Sequence, residues 1–212
     1  MSLDGFVAGP DQSADNPIGV GGMRLHAWVF PLRAWKTTHG EEGGLVNDSN
    51  RVVEESLERL GATIMGRNMF GPKRGAWDSK HPWNGWWGEN PPYHHSVFVL
   101  THHPRESLHM EGGTTFHFVT DGIESALAQA RRAAGEKDVQ IAGGASAAQQ
   151  YLAAGLVDEM EISLVPIMLG GGERLFEGPG ADLHGLELVR TVAAPDVIHV
   201  KFAKRRARGG GV

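Results

Sequence analysis

The stretch from Asp138 to Ala154 constrains this chain more than any other. Val139 and Ile141 mark one face of a short strand over Asp138 to Ala142, and Ala148, Tyr151 and Leu152 recur at helical spacing from Ala145 to Ala154. Only Gly143-Gly144 separates strand from helix. A strand that runs straight into a helix is half of a βαβ unit, and chains built this way fold as α/β proteins around a largely parallel sheet. The glycine pair lets backbone approach a ligand closely, and Ser146 is placed to cap the helix start. The first amides of that helix have no partner within it and lie at the positive end of its dipole, which suits a phosphate. An ordinary left-handed turn uses the same residues, and the pair alone does not separate the two readings.

Length and charge narrow the classes. With 212 residues the chain encloses a real core, and its 41% hydrophobic and 21% charged residues are ordinary for a soluble globular protein. A formal charge of −5 argues against general nucleic-acid binding, which needs a basic surface. The absence of cysteine excludes disulfides, thiolate metal sites and a cysteine nucleophile. No apolar run approaches the roughly 20 residues of a membrane helix, and no secretory leader is visible at the start, so a cytoplasmic protein is expected.

Around the central unit the pattern is regular. Met1 to Pro10 reads as a strand end breaking into a Gly/Pro loop, and Arg24 to Trp35 reads as helical until Pro31. Asp48 or Ser49 is placed to cap a helix to Leu60, with Val53, Leu57 and Leu60 as its buried stripe and Gly61 as its stop. Strands are expected at Ala62 to Met65, Ser96 to Leu100 and Thr115 to Val119, and a helix at Gly122 to Ala134. Between Gly71 and Tyr93 lies a long aperiodic stretch holding Trp77, Trp83, Trp86 and Trp87. So aromatic a loop is expected to be an ordered pocket wall or an oligomer contact. Met160, Ile162 and Leu164 alternate with polar residues, and Leu186 to Val192 and Val197 to Ala203 flank Ala194-Pro195-Asp196 as a hairpin. These elements make one domain over residues 1–204, a mixed and mainly parallel sheet ending in an antiparallel hairpin, with a flexible basic tail over 205–212.

Three strand-to-helix junctions carry ligand-like chemistry. Gly66-Arg67-Asn68-Met69 follows one strand and presents a guanidinium fork to phosphate oxygens. Thr101-His102-His103-Pro104-Arg105 follows another, and Gly143-Gly144-Ala145-Ser146 is the third. Open α/β sheets bind ligands at the carboxyl ends of their strands, so the three are expected to converge on one crevice.

Taken in order, Ser2-Leu3-Asp4-Gly5-Phe6-Val7-Ala8-Gly9, Met65 to Phe70, Leu100-Thr101, Ile141 to Ala145 and Leu169-Gly170-Gly171-Gly172-Glu173-Arg174-Leu175-Phe176 resemble the dihydrofolate reductase superfamily. The resemblance is nearer to the branch containing the reductase domain of riboflavin biosynthesis, and it covers almost the whole chain. It implies a dihydrofolate-reductase-like three-layer α/β/α sandwich that binds NADPH and reduces a small heterocyclic, carbonyl or imine substrate. It further implies that Gly66, Arg67, Asn68 and Met69 with Gly143, Gly144, Ala145 and Ser146 hold the pyrophosphate. Thr101, His102 and Arg67 would hold the adenosine 2′-phosphate. Leu3 to Gly9, with Ala8, would form the loop over the nicotinamide, and Gly170 and Gly171 would border the substrate. Relatives of this kind pair as homodimers, so a homodimer is expected. Two departures stand beside it. The helix from Asp48 lacks the acidic motif with which dihydrofolate reductases hold a pterin. The family also carries strand residues ahead of the Ser-Leu-Asp-Gly segment, on which this sequence almost begins.

Reduction by a nicotinamide needs a positioned hydride, a protonating group and exclusion of water. Asp4 is the expected acid, with Asp48 and Asp78 as further candidates. Each has an ordinary use too: a turn pair with Gly5 for Asp4, an N-cap for Asp48. Trp77 and Asp78 are expected at the substrate, and Trp83 could line a planar pocket. His94-His95 and His102-His103 point to opposite faces of extended chain and do not predict a metal site. A non-catalytic NADP-binding protein, a dihydrofolate reductase, and an interaction protein working through its tryptophans are the alternative readings.

Overall fold

The computed structural model describes residues 1–177, 183 and 185–204; the expected tail at 205–212 lies outside them. Its central element is a five-stranded sheet in the order β4-β5-β3-β2-β6, built from β2 (Leu60–Gly66), β3 (Ser96–Leu100), β4 (Leu108–His109), β5 (Thr115–Val119) and β6 (Asp138–Gly143). β5, β3, β2 and β6 run parallel and β4 is an antiparallel edge. β7 (Glu159–Leu164), β9 (Leu186–Ala194) and β10 (Val197–Lys204) form an antiparallel sheet in the order β7-β10-β9, with the expected hairpin turning at Asp196 in left-handed geometry. β1 (Phe6–Ala8) pairs with β8 (Glu173–Arg174). The fold is thus α/β with a mixed, mainly parallel sheet and an antiparallel C-terminal hairpin, its strands divided among three hydrogen-bonded sheets. The two-residue strands β4 and β8 are too short to show a period.

Alternation along the strands feeds two cores. Ile64 and Phe98 face α4 (Ile123–Ala134), whose Ala126, Leu127, Ala130 and Ala134 pack on them together with Tyr151 of α5 (Ala145–Ala153). Met65, Val97, Val99 and Phe116 face the other way, against Phe70 of the one-turn helix α3 (Arg67–Phe70) and Trp77, Trp83 and Trp87. The Trp-rich loop therefore covers the second face of the sheet, where a longer helix would otherwise lie. Its indoles are anchored by hydrogen bonds: Trp83 to the Phe70 carbonyl at 2.8 Å, Trp86 to that of Met69 at 2.9 Å, Trp77 to that of His103 at 2.9 Å.

Several local expectations are corrected. Arg24 to Pro31 is not an α-helix: a 3₁₀ turn spans Gly22–His26, and α1 (Arg33–Thr38) starts only beyond Pro31, with its Ala34 amide donating to Asn50 at 2.8 Å. α2 (Asp48–Arg59) is capped by Asn47, whose side chain accepts from the Asn50 amide, so neither Asp48 nor Ser49 is the cap. Its buried face is Ser49, Asn50 and Val52, while Leu57 is 38% exposed. Polar docking explains the rotation, because Ser49 Oγ lies 2.9 Å from Nε2 of buried His199 on β10 while Asn50 serves α1. Gly61 sits inside β2, where a Cβ would come 2.9 Å from the backbone of Ala134; it admits the end of α4 and does not terminate α2.

Candidate functional site

The parallel strands β3, β2 and β6 are neighbours, and their carboxyl ends lie side by side: Gly66 is in register with Leu100, and Met65 with Gly143. All three chemistry-bearing junctions therefore open on one edge of the sheet, as their order along the chain implied. Gly66 and the glycine pair are in near contact, since a Cβ on Gly66 would lie 3.4 Å from Ala147 Cβ and 3.7 Å from the Gly144 nitrogen. Gly143 holds φ +119°, a region L side chains avoid, and the Gly143–Gly144 peptide is cis.

Gly144 is the N-cap of α5, with no side chain bonded across the helix start. Its carbonyl accepts from Ala147 at 3.0 Å and Ala148 at 3.2 Å, so the Ala145 and Ser146 amides have no partner inside the helix. Ser146 is not the cap, since it lies two residues past the cap position, inside the first turn. The result is an uncapped, positive helix terminus beside a backbone stripped of side chains.

A second concentration of positive charge lies at the neighbouring junctions. The Arg67 guanidinium stacks 3.6 Å above the Trp77 ring, and its Nε and Nη1 are buried without a hydrogen-bond partner. Arg105 lies 5.0 Å from the same ring and donates to the Trp83 carbonyl at 2.5 Å and to Asn84 Oδ1 at 2.8 Å. Burial lowers the affinity of both guanidiniums for their protons, and the charge of Arg105 adds to the effect on Arg67. Thr101 is buried and shapes the turn, its hydroxyl accepting from the His103 amide at 3.2 Å, whereas His102 is exposed. Asn68 lines a small cleft with Gln12, Ser13, Arg74 and Trp86, and Met69, on α3, packs against the second core.

The third wall comes from the N-terminal segment and the glycine triplet. Ala8 on β1 is in register with Glu173 on β8, and Gly172 at φ +121° lies so close that a Cβ there would collide with the Ala8 carbonyl. Asp4 does not stand free as a proton donor. Its carboxylate accepts from the Gly170 amide at 2.7 Å and the Leu169 amide at 3.2 Å. The Ser2 hydroxyl first, then these amides, hold its pKa down to about 2. So held, the Asp4 carboxylate fastens the start of the glycine triplet.

The residues expected at the substrate divide between two places. Gly170 and Gly171 lie with Asp4 and Pro10, whereas Trp77 belongs to the guanidinium corner. Asp78 folds back on its own loop, accepting from the Lys80 amide at 2.9 Å and the His81 amide at 3.1 Å. Asp48 is ion-paired with Arg51 on its own helix. Glu173 is a residue that sequence reasoning passed over: its Oε2 would lie 3.5 Å from a Cβ on Gly144, at the mouth of the crevice. Its signal was only its place in the Gly-Gly-Gly-Glu run. The histidine pairs are used locally, His95 with Thr63 at 2.8 Å and His94 with the Gly112 carbonyl at 2.9 Å. Among the described residues no group of three His, Asp or Glu could hold a metal, and no helix is long and apolar enough to cross a membrane.

Comparison with known proteins agrees with this geometry. The family model described as the RibD C-terminal domain matches residues 1–200. A Bacillus subtilis (strain 168) protein, the uncharacterised YyaP, is 25% identical over 142 residues, which is 65% of this chain and 71% of that protein. A crystal structure of a Shewanella sp. PV-4 protein named for riboflavin biosynthesis superposes with a TM-score of 0.61 at 21% identity, covering 97% of this chain and 96% of the other. A Thermotoga maritima diaminohydroxyphosphoribosylaminopyrimidine deaminase/5-amino-6-(5-phosphoribosylamino)uracil reductase superposes with a TM-score of 0.52 at 13% identity. It matches 96% of this chain, which spans only 54% of that longer protein. At these identities the structural matches establish a shared fold.

Proposed function

Because this chain belongs to the RibD C-terminal domain family, a reductase family, we propose that it is an NADPH-dependent oxidoreductase acting on a small heterocyclic, carbonyl or imine substrate. One observation carries the reading: the uncapped start of α5, the bare Gly143-Gly144 backbone and the unpaired nitrogens of Arg67 meet on the same edge of a parallel sheet. Amides at a helix start and a guanidinium fork are complementary to a pyrophosphate and a phosphomonoester, the two anionic parts of NADPH. When bound, the dinucleotide supplies the hydride.

The chain's own contribution is placement. Gly66 and Gly143-Gly144 let backbone reach the pyrophosphate, with Asn68, Met69, Ala145 and Ser146 beside them. Arg67 takes the charged end with Thr101 and His102 at the next junction, and Ala8 lies where β1 closes over the crevice. Gly170 and Gly171, clamped by Asp4, form the border on which a substrate rests. Since the Asp4 carboxylate is taken up by the Leu169 and Gly170 amides and Asp78 is bonded to its own turn, the proton comes from water. A 5-amino-6-(5-phosphoribosylamino)uracil is one member of the substrate class, by analogy with the Thermotoga protein. The proposal includes a cytoplasmic homodimer that engages neither nucleic acid nor membrane. The exposed Leu188, Val189 and Ile198 on the hairpin support pairing, and the formal charge of −5 supports the exclusion of nucleic acid.

Fluorescence titration with NADPH, followed by a panel of pyrimidine, pterin, aldehyde and imine substrates, tests the reading. Saturable binding and substrate-dependent loss of NADPH absorbance are expected. Tight binding without turnover on any substrate would make the chain a non-catalytic nucleotide-binding protein, and absence of binding would remove the crevice assignment.

A further inference from the structure

His199 is a buried, titratable group for which the reduction chemistry has no use. It is 1% exposed on β10, in the antiparallel sheet against which α2 packs. We infer that His199 is a pH-operated latch, whose neutral ring fastens α2 to this sheet and whose protonation releases it. The latch does not depend on which cofactor the crevice holds.

Two hydrogen bonds make the bridge. Nε2 of His199 lies 2.9 Å from Ser49 Oγ on α2, and Nδ1 lies 2.9 Å from Ser163 Oγ on β7. A neutral imidazole carries one proton on its two nitrogens, so it donates to one hydroxyl and accepts from the other. Ser49 is buried as well, which closes the bridge to bulk water. The Trp28 indole meets the imidazole edge-on, at a centroid distance of 4.9 Å and an interplanar angle of 72°. One ring thus touches α2, β7 and the segment ahead of α1. α2 runs directly into β2, the strand that ends at Gly66-Arg67, so whatever loosens α2 acts on a wall of the crevice.

Protonation changes both the bonding and the charge. Imidazolium holds a proton on each nitrogen, so the hydroxyl that donated to the ring must turn away. The cation would also lie out of water with two neutral hydroxyls as its hydrogen-bond partners among the described residues. Its charged surroundings give no relief. On β9, Arg190 opposes the cation, and its own partners are Glu55 of α2 at 2.6 Å and Glu161 of β7 at 3.4 Å. On β10, Lys201 is paired with Glu159 of β7 at 2.8 Å, and on α2 Asp48 is paired with Arg51. The Met1 ammonium donates to the Ser163 carbonyl at 2.6 Å, and His26, two residues ahead of Trp28, is itself depressed in pKa by burial. Burial first and Arg190 second lower the pKa of His199 from 6.5. The released ring takes up its proton near 6.5, so the latch holds fully above that pH and weakens as the pH falls through the folded value.

Imidazole NMR and amide hydrogen exchange of the whole chain test the latch between about pH 8 and pH 5, the range in which histidine changes charge. Wild type is compared with His199→Gln, whose amide both donates and accepts but does not titrate, and with Ser49→Ala, which removes the α2 side of the bridge. In wild type the protection factors of α2 should fall at least about threefold toward acid and recover on neutralisation. Trp28 emission, identified by difference from Trp28→Phe, should fall in step with the His199 ring signals, because imidazolium quenches indole. His199→Gln should hold its α2 protection within about twofold across the range. Ser49→Ala should lose α2 protection already at neutral pH and show no further acid response while its His199 ring still titrates. It keeps the test open if His199→Gln does not fold.

His26 and His95 titrate alike in all three proteins, so the difference between them belongs to His199. The same acid response of α2 in wild type and in the folded variants would overturn the latch. So would an α2 that loosens while the His199 ring stays neutral, or α2 protection that does not change with pH in wild type.

Discussion

Residue by residue, the site is governed by which ionisable groups have partners. Arg67 keeps two buried nitrogens open, while Asp4 spends its carboxylate on two amides and is held as an anion at about pKa 2. The sequence shows both as polar residues beside glycine, and the role of Asp4 depends on backbone 165 residues and more away, which no local pattern carries. His95 belongs to the same class. Burial pushes its pKa down to about 4 from 6.5, next to the Thr63 hydroxyl and with His94 and Lys137 adding positive charge. The folded state keeps His95 neutral, whereas the unfolded chain takes up its proton near pH 6.5, so protonation favours unfolding. Stability from this group is complete above pH 6.5 and is lost as the pH falls to 4. Urea titrations between these values should show wild type weakening with acid and His95→Gln weakening less. Parallel pH profiles for the two proteins would remove His95 as the cause.

Among the elements, the Trp-rich loop departs furthest from what a pattern reveals. Strands β2 and β3 were legible as short apolar runs buried on both faces, and helix α4 from an apolar spacing that its burial follows. The loop has no period, so its aromatic content announced order without placing it. Packing does the placing. Phe70, fully buried, meets Phe116, Phe118 and Trp77 edge-on at centroid distances of 5.1, 5.3 and 5.9 Å. Phe70→Ala should cost about 3–5 kcal/mol, the range for deleting a buried ring. It should also raise hydrogen exchange in the 77–93 segment above that of α4. A loss below about 1 kcal/mol would show that the loop is anchored by its hydrogen bonds alone. α2 failed differently. Its apolar stripe was read from spacing, but the helix docks through Ser49 and Asn50, and a polar seam leaves no hydrophobic signature.

For the molecule as a whole, the order of the motifs proved more informative than any one of them. Separately, Gly66-Arg67, Leu100-Thr101 and Gly143-Gly144 are ordinary turns. The sheet order β3-β2-β6 puts them side by side, and the parallel register aligns their ends. The convergence was readable because open α/β sheets bind ligands at the carboxyl ends of their strands; the strand order itself was not. The division of the strands among three sheets, and the closing of β8 over β1, were not readable, because two-residue strands are selected by tertiary contact. The central claim is that this shared edge binds a pyrophosphate-linked dinucleotide. Equilibrium titration of NADPH into wild type, Arg67→Ala and Gly144→Val tests it most directly, with circular dichroism showing that each variant is folded. Wild type should bind saturably and each variant at least about tenfold more weakly, a difference of about 1.4 kcal/mol. NADPH affinity unchanged in both folded variants would contradict the account.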